Sequence, residues 1–165
     1  MTPWVLLDSV QVPGNGGELR LYRRNDEYSI KVVGRGELMN SRVHGSEDAL
    51  AGQTCARLEN HRQARLLIGG LGMGFTLAAA LRHLGEQSQV TVAELVPAVV
   101  SWNREALGEL AGYPLRDPRV SVCECDVGRM LEGGERLYDA ILLDVDNGPE
   151  GLTRRENDWL YSVDG

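Results

Sequence analysis

Up to about residue 45, apolar positions alternate with polar ones in short runs broken by turn residues. WVLLDSVQV ends at Pro13-Gly14-Asn15-Gly16-Gly17, ELRLYRR ends at Asn25-Asp26, and EYSIKVV comes next. Leu19 and Leu21 share one side of their run, with Arg23 in the same register, and Tyr28, Ile30 and Val32 alternate likewise. A period of two between such turns predicts an antiparallel hairpin or meander of about 40 residues. A sheet of that size is not stable alone, so it must pack on the rest of the chain or on another subunit.

Beyond residue 45 the pattern changes to helices alternating with continuous apolar runs. Ser46 is a suitable N-cap for a helix reaching about Leu58, with Glu47 and Asp48 in its first turn. ARLLIG (64–69) is apolar throughout, as a strand covered on both faces would be. A helix is expected over 75–84, a strand over 89–94, and a helix over 97–110 with Pro97 in its first position. A third strand (119–125), a short helix (128–131) and a fourth strand (137–144) complete the series. This alternation predicts an α/β, Rossmann-like, doubly wound parallel sheet behind a small N-terminal antiparallel β region.

Residues 1–45 are therefore read as the small β region and 46–165 as a Rossmann-like nucleoside-binding domain. After Asp144 come the turn DNGPEG and a polar stretch reaching Trp159-Leu160-Tyr161. Doubly wound sheets ordinarily continue past a fourth strand, so this domain is expected to be incomplete at its C-terminus. An uncovered YDAILL edge would be an unpaired apolar ladder, and a homo-oligomer is the expected remedy.

Composition narrows the partners. The 165 residues carry a net charge of −7, with a sequence pI near 5.0. That balance disfavours nucleic acid and anionic membranes and suits a small, cationic substrate. Cys55, Cys123 and Cys125 lack CxxC or Cys/His spacing, so they read as buried or half-buried thiols, and no metal site is expected. MTPWVLLDSV has no basic region and its apolar run breaks at Asp8, which is not the pattern of a signal peptide. A cytoplasmic protein is expected.

The candidate chemistry sits where strands end. In LLIGGLGMGFTLAAAL, Gly70, Gly72 and Gly74 come after a buried strand and open a helix. Glycines there permit a tight turn and let a ligand lie against bare backbone near a helix N-terminus, although a plain packing turn has the same composition. Glu94 ends the next strand, twenty residues past Gly74, where Rossmann-like folds place an acid on ribose hydroxyls. The alternative is a surface glutamate. Asp126 and Asp144 end the third and fourth strands at the same edge, each readable as a ligand contact, a helix cap or a solvated loop charge. Trp102 reads as a packing residue, Met73 as an apolar loop contact, and His61 and His83 as surface residues. His44, just ahead of the first helix of the α/β part, can face a substrate.

GGLGMG, VTVAELVPAVV, DPRVSVCECDVGRML and YDAILLDVDNGPEG together resemble the successive motifs of the polyamine aminopropyltransferases, the spermidine synthase family. That family lies within the class I S-adenosylmethionine-dependent methyltransferase fold, and the resemblance covers about residues 4–150. It implies S-adenosylmethionine or its decarboxylated form as the bound adenosyl compound. It further implies that Gly70, Gly72 and Gly74 surround the nucleoside and sulfonium, that Glu94 holds the ribose, and that Asp126 meets the adenine amino group. Asp144 matches the catalytic aspartate, with Asp146, Asn147 and His44 as substrate-side candidates. The sequence departs from the family where Gly72 replaces an aspartate of the glycine loop. It departs again where Asn147 stands in place of a second post-strand aspartate, with Asp146 one residue earlier. His44 and Glu47 loosely echo a tyrosine and a glutamate expected before the first helix. The expected activity is transfer of a methyl or aminopropyl group to an acceptor that the sequence leaves open, an amine being the candidate. A catalytically silent nucleoside-binding or assembly module is the alternative. Nicotinamide dinucleotide binding fits less well, because acids at the rim would repel a pyrophosphate and the third Rossmann glycine is missing.

Overall fold

The computed structural model describes residues 2–59, 62–132 and 137–145, which divide between two compact units meeting in sequence at Val43/His44. The first contains an antiparallel meander of β1 (Val5–Gln11), β2 (Glu18–Arg24), β3 (Glu27–Val32) and β4 (Gly36–Asn40), in that spatial order. The expected alternation sets the register: Leu19 faces Val32, Leu21 faces Ile30 and Arg23 faces Tyr28. The four aliphatic residues are buried, and the Arg23 guanidinium lies 5.6 Å from the Tyr28 ring centroid. On alternate positions, Arg24 lies 4.5 Å and Lys31 5.7 Å from the Trp4 ring centroid. The alternation does not mark β4, because GELMN begins with a glycine at φ 111° and carries a register shift against β3.

The second unit contains α1 (Gly45–Cys55), β5 (Arg65–Gly69), α2 (Phe75–His83), β6 (Gln89–Ala93), α3 (Pro97–Arg104), β7 (Val120–Cys123), α4 (Val127–Leu131) and β8 (Ala140–Leu143). All pairings are parallel, and the strand order is β7-β6-β5-β8. Taken in order of appearance, that is 3-2-1-4, the order of a Rossmann-type sheet with its reversal between β5 and β8. In open sheets of this order, ligands bind at the carboxyl ends of the strands beside that reversal. Leu66, Leu67, Ile68, Val90, Val92 and Leu142 form the buried sheet core.

Several element ends differ from the sequence reading, each for a local reason. Ser46 is not the N-cap of α1: His44 holds that position without a side-chain bond, while the Ser46 hydroxyl donates to Glu47. The helix ends at Cys55 and tightens into i→i+3 turns up to Leu58. α3 stops at Arg104 rather than 110, and a separate 3₁₀ turn covers Gly108–Ala111. The break falls at Glu105, whose φ of −117° and ψ of −105° leave the helical region, and the Tyr113 ring then packs against Gly108. β7 stops at Cys123, because the Cys125 N–H folds back to donate to the Cys123 carbonyl at 3.0 Å.

β8 pairs with β5 along one edge, and among the described residues no strand lies on its other edge. Leu142 is 1% exposed, whereas Ile141 beside it is 45% exposed. Among the described residues no helix is long and apolar enough to cross a membrane. Leu142→Ala should cost about 2–5 kcal/mol of unfolding free energy, as core truncations do. Ile141→Ala should cost clearly less in the same denaturant titration; equal losses would mean that β8 is covered on both faces.

Candidate adenosyl-binding site

The glycine loop is held from three sides. The Gly70 N–H donates to the Ala93 carbonyl at 2.8 Å, tying the loop to the end of β6. At the end of β8, the Asp144 N–H donates to the Gly69 carbonyl at 2.8 Å. A Cβ on Gly70 would overlap the Asp144 carbonyl oxygen, and Gly70 has a φ of 91°. Only glycine satisfies both demands. Val127, at the start of α4, approaches to 3.0 Å of where a Cβ on Gly69 would stand, so the end of β7 joins the same cluster. The elements carrying Gly70, Gly72, Gly74, Glu94, Asp126 and Asp144 thus converge on one rim, as the strand-end reading expects.

Glu94 is not a surface residue; it is 8% exposed. One carboxyl oxygen accepts the Leu71 N–H at 2.8 Å and the other the Val96 N–H at 2.9 Å. Leu95 and Gly72 contribute further backbone N–H groups. The side chain therefore joins the glycine loop to the first turn of α3, whose N-cap, Val96, has no capping side chain of its own. Burial pushes the Glu94 carboxyl above the ordinary glutamate range, and the four N–H groups only partly offset it.

Asn103 backs the loop from α3. Its amide donates to the Gly72 carbonyl at 2.8 Å and to the Val99 carbonyl at 2.9 Å, and it is 1% exposed. Its carbonyl oxygen lies 2.9 Å from where a Cβ on Gly74 would stand; Gly74 has a φ of 83° and is the N-cap of α2. Asp126 is an N-cap as well, accepting the Gly128 N–H at 2.9 Å. The Asp144 carboxylate accepts the Thr76 hydroxyl at 2.7 Å, from the first turn of α2.

His44 stacks on Phe75, the first residue of α2, with ring centroids 4.3 Å apart. Its Nδ1 stands 3.5 Å from Asp48 without a well-formed hydrogen bond, and Asp48 is bonded to Arg82 at 2.6 Å. Trp102 and Met73 are buried and His83 is exposed. Asp146, Asn147 and His61 lie outside the described residues. Cys123 and Cys125 do not share a strand face, since Cys125 has left the strand. Burial, then a hydrogen bond and charge from Cys123, push the Cys125 thiol up to about 12. Thr76, Phe75 and Asn103 escape a reading of the sequence, being ordinary helix residues there. The one usable signal for Thr76 is a hydroxyl in the first turn after a glycine loop.

A glycine loop at the reversal point of a 3-2-1-4 sheet, with acids after the next three strands, makes this unit a Rossmann-like α/β domain. No family model matches the chain. The polyamine aminopropyltransferase of Korarchaeum cryptofilum is 34% identical over 117 residues, covering 70% of this chain and 35% of that protein. The enzyme of the same name from Oceanobacillus iheyensis is 31% identical over 144 residues, covering 84% and 27%. Among solved structures, spermidine synthase from Thermotoga maritima superposes with a TM-score of 0.69 at 18% identity, over 84% of this chain and 47% of that one. A spermidine synthase in complex with the transition-state analogue AdoDATO gives the same values. The chain is spermidine-synthase-like, a homologue of the polyamine aminopropyltransferases. It spans about a third of the length of the curated relatives it matches.

Glu94 gives this site a pH signature. Its folded pKa lies above the value near 4.5 of a free glutamate, so between the two values the folded state holds the extra proton. Stability should therefore fall as pH rises through that window. Thermal melts across pH should show this downward slope in the wild type and lose it in Glu94→Ala. A wild-type slope of opposite sign would mean that the four N–H donors outweigh burial.

Proposed function

We propose that this chain is the adenosyl-binding part of a spermidine-synthase-like transferase, which moves an alkyl group from a sulfonium donor to an amine. The observation that carries the proposal is the glycine loop pressed against the Asp144 backbone at the reversal of the sheet. Acids at three consecutive strand ends suit a donor that is a cation and carries ribose hydroxyls and an adenine amine. The relatives are named as transferases, which weighs against the silent-module alternative.

The donor, S-adenosylmethionine or its decarboxylated form, supplies a carbon already activated by positive sulfur. The residues then have to bind and align. Gly70, Gly72 and Gly74 present bare backbone to the nucleoside and sulfonium. Glu94 fixes that loop and offers what remains of its hydrogen-bonding capacity to ribose, and Asp126 stands at the adenine edge. Asp144 orients the acceptor amine and takes its proton as the new N–C bond forms and the C–S electron pair returns to sulfur. Alignment of this kind supplies roughly 7–11 kcal/mol of a barrier. Asp146, Asn147 and His44 are the proposed acceptor-side residues.

Calorimetry with S-adenosylmethionine, decarboxylated S-adenosylmethionine and methylthioadenosine should find binding of at least one of them. Glu94→Ala should weaken it roughly tenfold or more, the worth of one hydrogen bond to a charged group. Absence of binding by all three compounds would overturn the reading.

Gly72 bears on the choice of donor. An aminopropyl ammonium is most simply anchored by a carboxylate at close range. The loop has glycine at the family's acid position, and the first turn of α2 carries no acid. Donor competition in the presence of putrescine should show little preference for the decarboxylated donor and little or no spermidine. Selective binding of that donor with spermidine formation would reverse this prediction.

A further inference from the structure

We infer that Thr76 is a positioning residue that sets the orientation and protonation of Asp144, linking the donor loop to the reacting carboxylate. The inference rests on Asp144 being the proton-handling group of the proposed function. Thr76 is buried, 1% exposed, and stands two residues past Gly74. Its hydroxyl donates to the Asp144 carboxylate at 2.7 Å, bridging 68 positions of sequence. The Asp144 backbone is already fixed on the same loop, through its N–H to Gly69 and through the close approach of Gly70 to its carbonyl. Backbone contacts alone do not fix the side-chain torsions that aim the carboxylate. The hydroxyl restrains them and favours the ionised form, because a donor to a carboxylate lowers its pKa.

Among the described residues, His44 stacks on Phe75 next to Thr76, and the following titratable groups are engaged or placed elsewhere. On α1 these are Glu47, Asp48 and Cys55, with Asp48 held by Arg82 and Cys55 buried. Arg65 of β5 stands 4.0 Å from Asp139, at the opposite end of β8. On α2, Arg82 and His83 occupy the last turn, whereas Thr76 is in the first. At α4, Asp126 caps Gly128 and Arg129 is exposed. Glu94 lies across the loop, bound to backbone N–H groups.

Thr76→Val keeps the shape and removes the hydroxyl, and Thr76→Ser keeps the hydroxyl. Carbon-detected NMR titration of the Asp144 carboxyl, assigned by its loss in Asp144→Asn, reads the effect without any need for turnover. The midpoint should rise by about one pH unit in Thr76→Val and return close to wild type in Thr76→Ser. Thermal melts verify that both variants are folded. Donor affinity by calorimetry should stay within about twofold of wild type, since the loop backbone is untouched, while any turnover falls at least tenfold in Thr76→Val alone. An Asp144 midpoint unchanged by valine, or a shift that serine does not restore, overturns the inference. A wild type that binds no adenosyl donor instead overturns the functional reading, while the titration still decides the role of Thr76.

Discussion

The carboxyl group of Glu94 takes backbone N–H groups from two elements that have few other donors or acceptors to offer each other. A glycine loop gains nothing from side-chain packing and loses the most conformational entropy when it is ordered. At the entry to α3, whose N-cap Val96 has no capping side chain, the Val96 N–H also needs an acceptor. One buried side chain answers both needs, at the cost of desolvating an ionisable group. With the loop fixed, the Gly72 carbonyl can meet Asn103, Gly74 can start α2, and α2 can aim Thr76 at Asp144.

That arrangement concentrates conformational demands and polarity in the same few residues. Gly70 and Gly74 occupy the left-handed region, and each lies too close to a neighbouring oxygen to tolerate a Cβ without movement. The ends of β5, β6, β7 and β8 each contribute backbone bonds or contacts to the cluster. The site is thus built from strand termini, which the sheet holds rigidly, and not from long loops. Such a scaffold suits a reaction in which the donor is already activated and alignment is the main demand.

Apart from β4 and the 3₁₀ turn at Gly108–Ala111, strand and helix existence was legible in the sequence, because both depend on local periodicity. The alternation of Leu19, Leu21, Tyr28, Ile30 and Val32 gave the meander its register, and the runs at 64–69 and 89–94 read as strands, each within a residue of the observed ends. Ends were less legible. Ser46 has the chemistry of a cap, yet the cap is His44, two residues earlier, and α3 stops where the Glu105 backbone leaves the helical region. Both outcomes depend on neighbours that a local window does not contain.

The candidate site divides in the same way. Gly70, Gly72, Gly74, Glu94, Asp126 and Asp144 could be picked out because a glycine run after an apolar strand, and an acid at a strand end, are contiguous patterns. Their proximity was legible too, since parallel strands put their carboxyl ends on one edge. What the tertiary structure alone decided was which way each group is used. Glu94 is turned inward onto backbone amides, Asp126 caps its own helix, and Asp144 is held by a threonine 68 residues away. Hydrogen bonds between residues so far apart are set by how β5, α2 and β8 pack, and nothing in the local sequence around Thr76 or Asn103 encodes the partner each one finds.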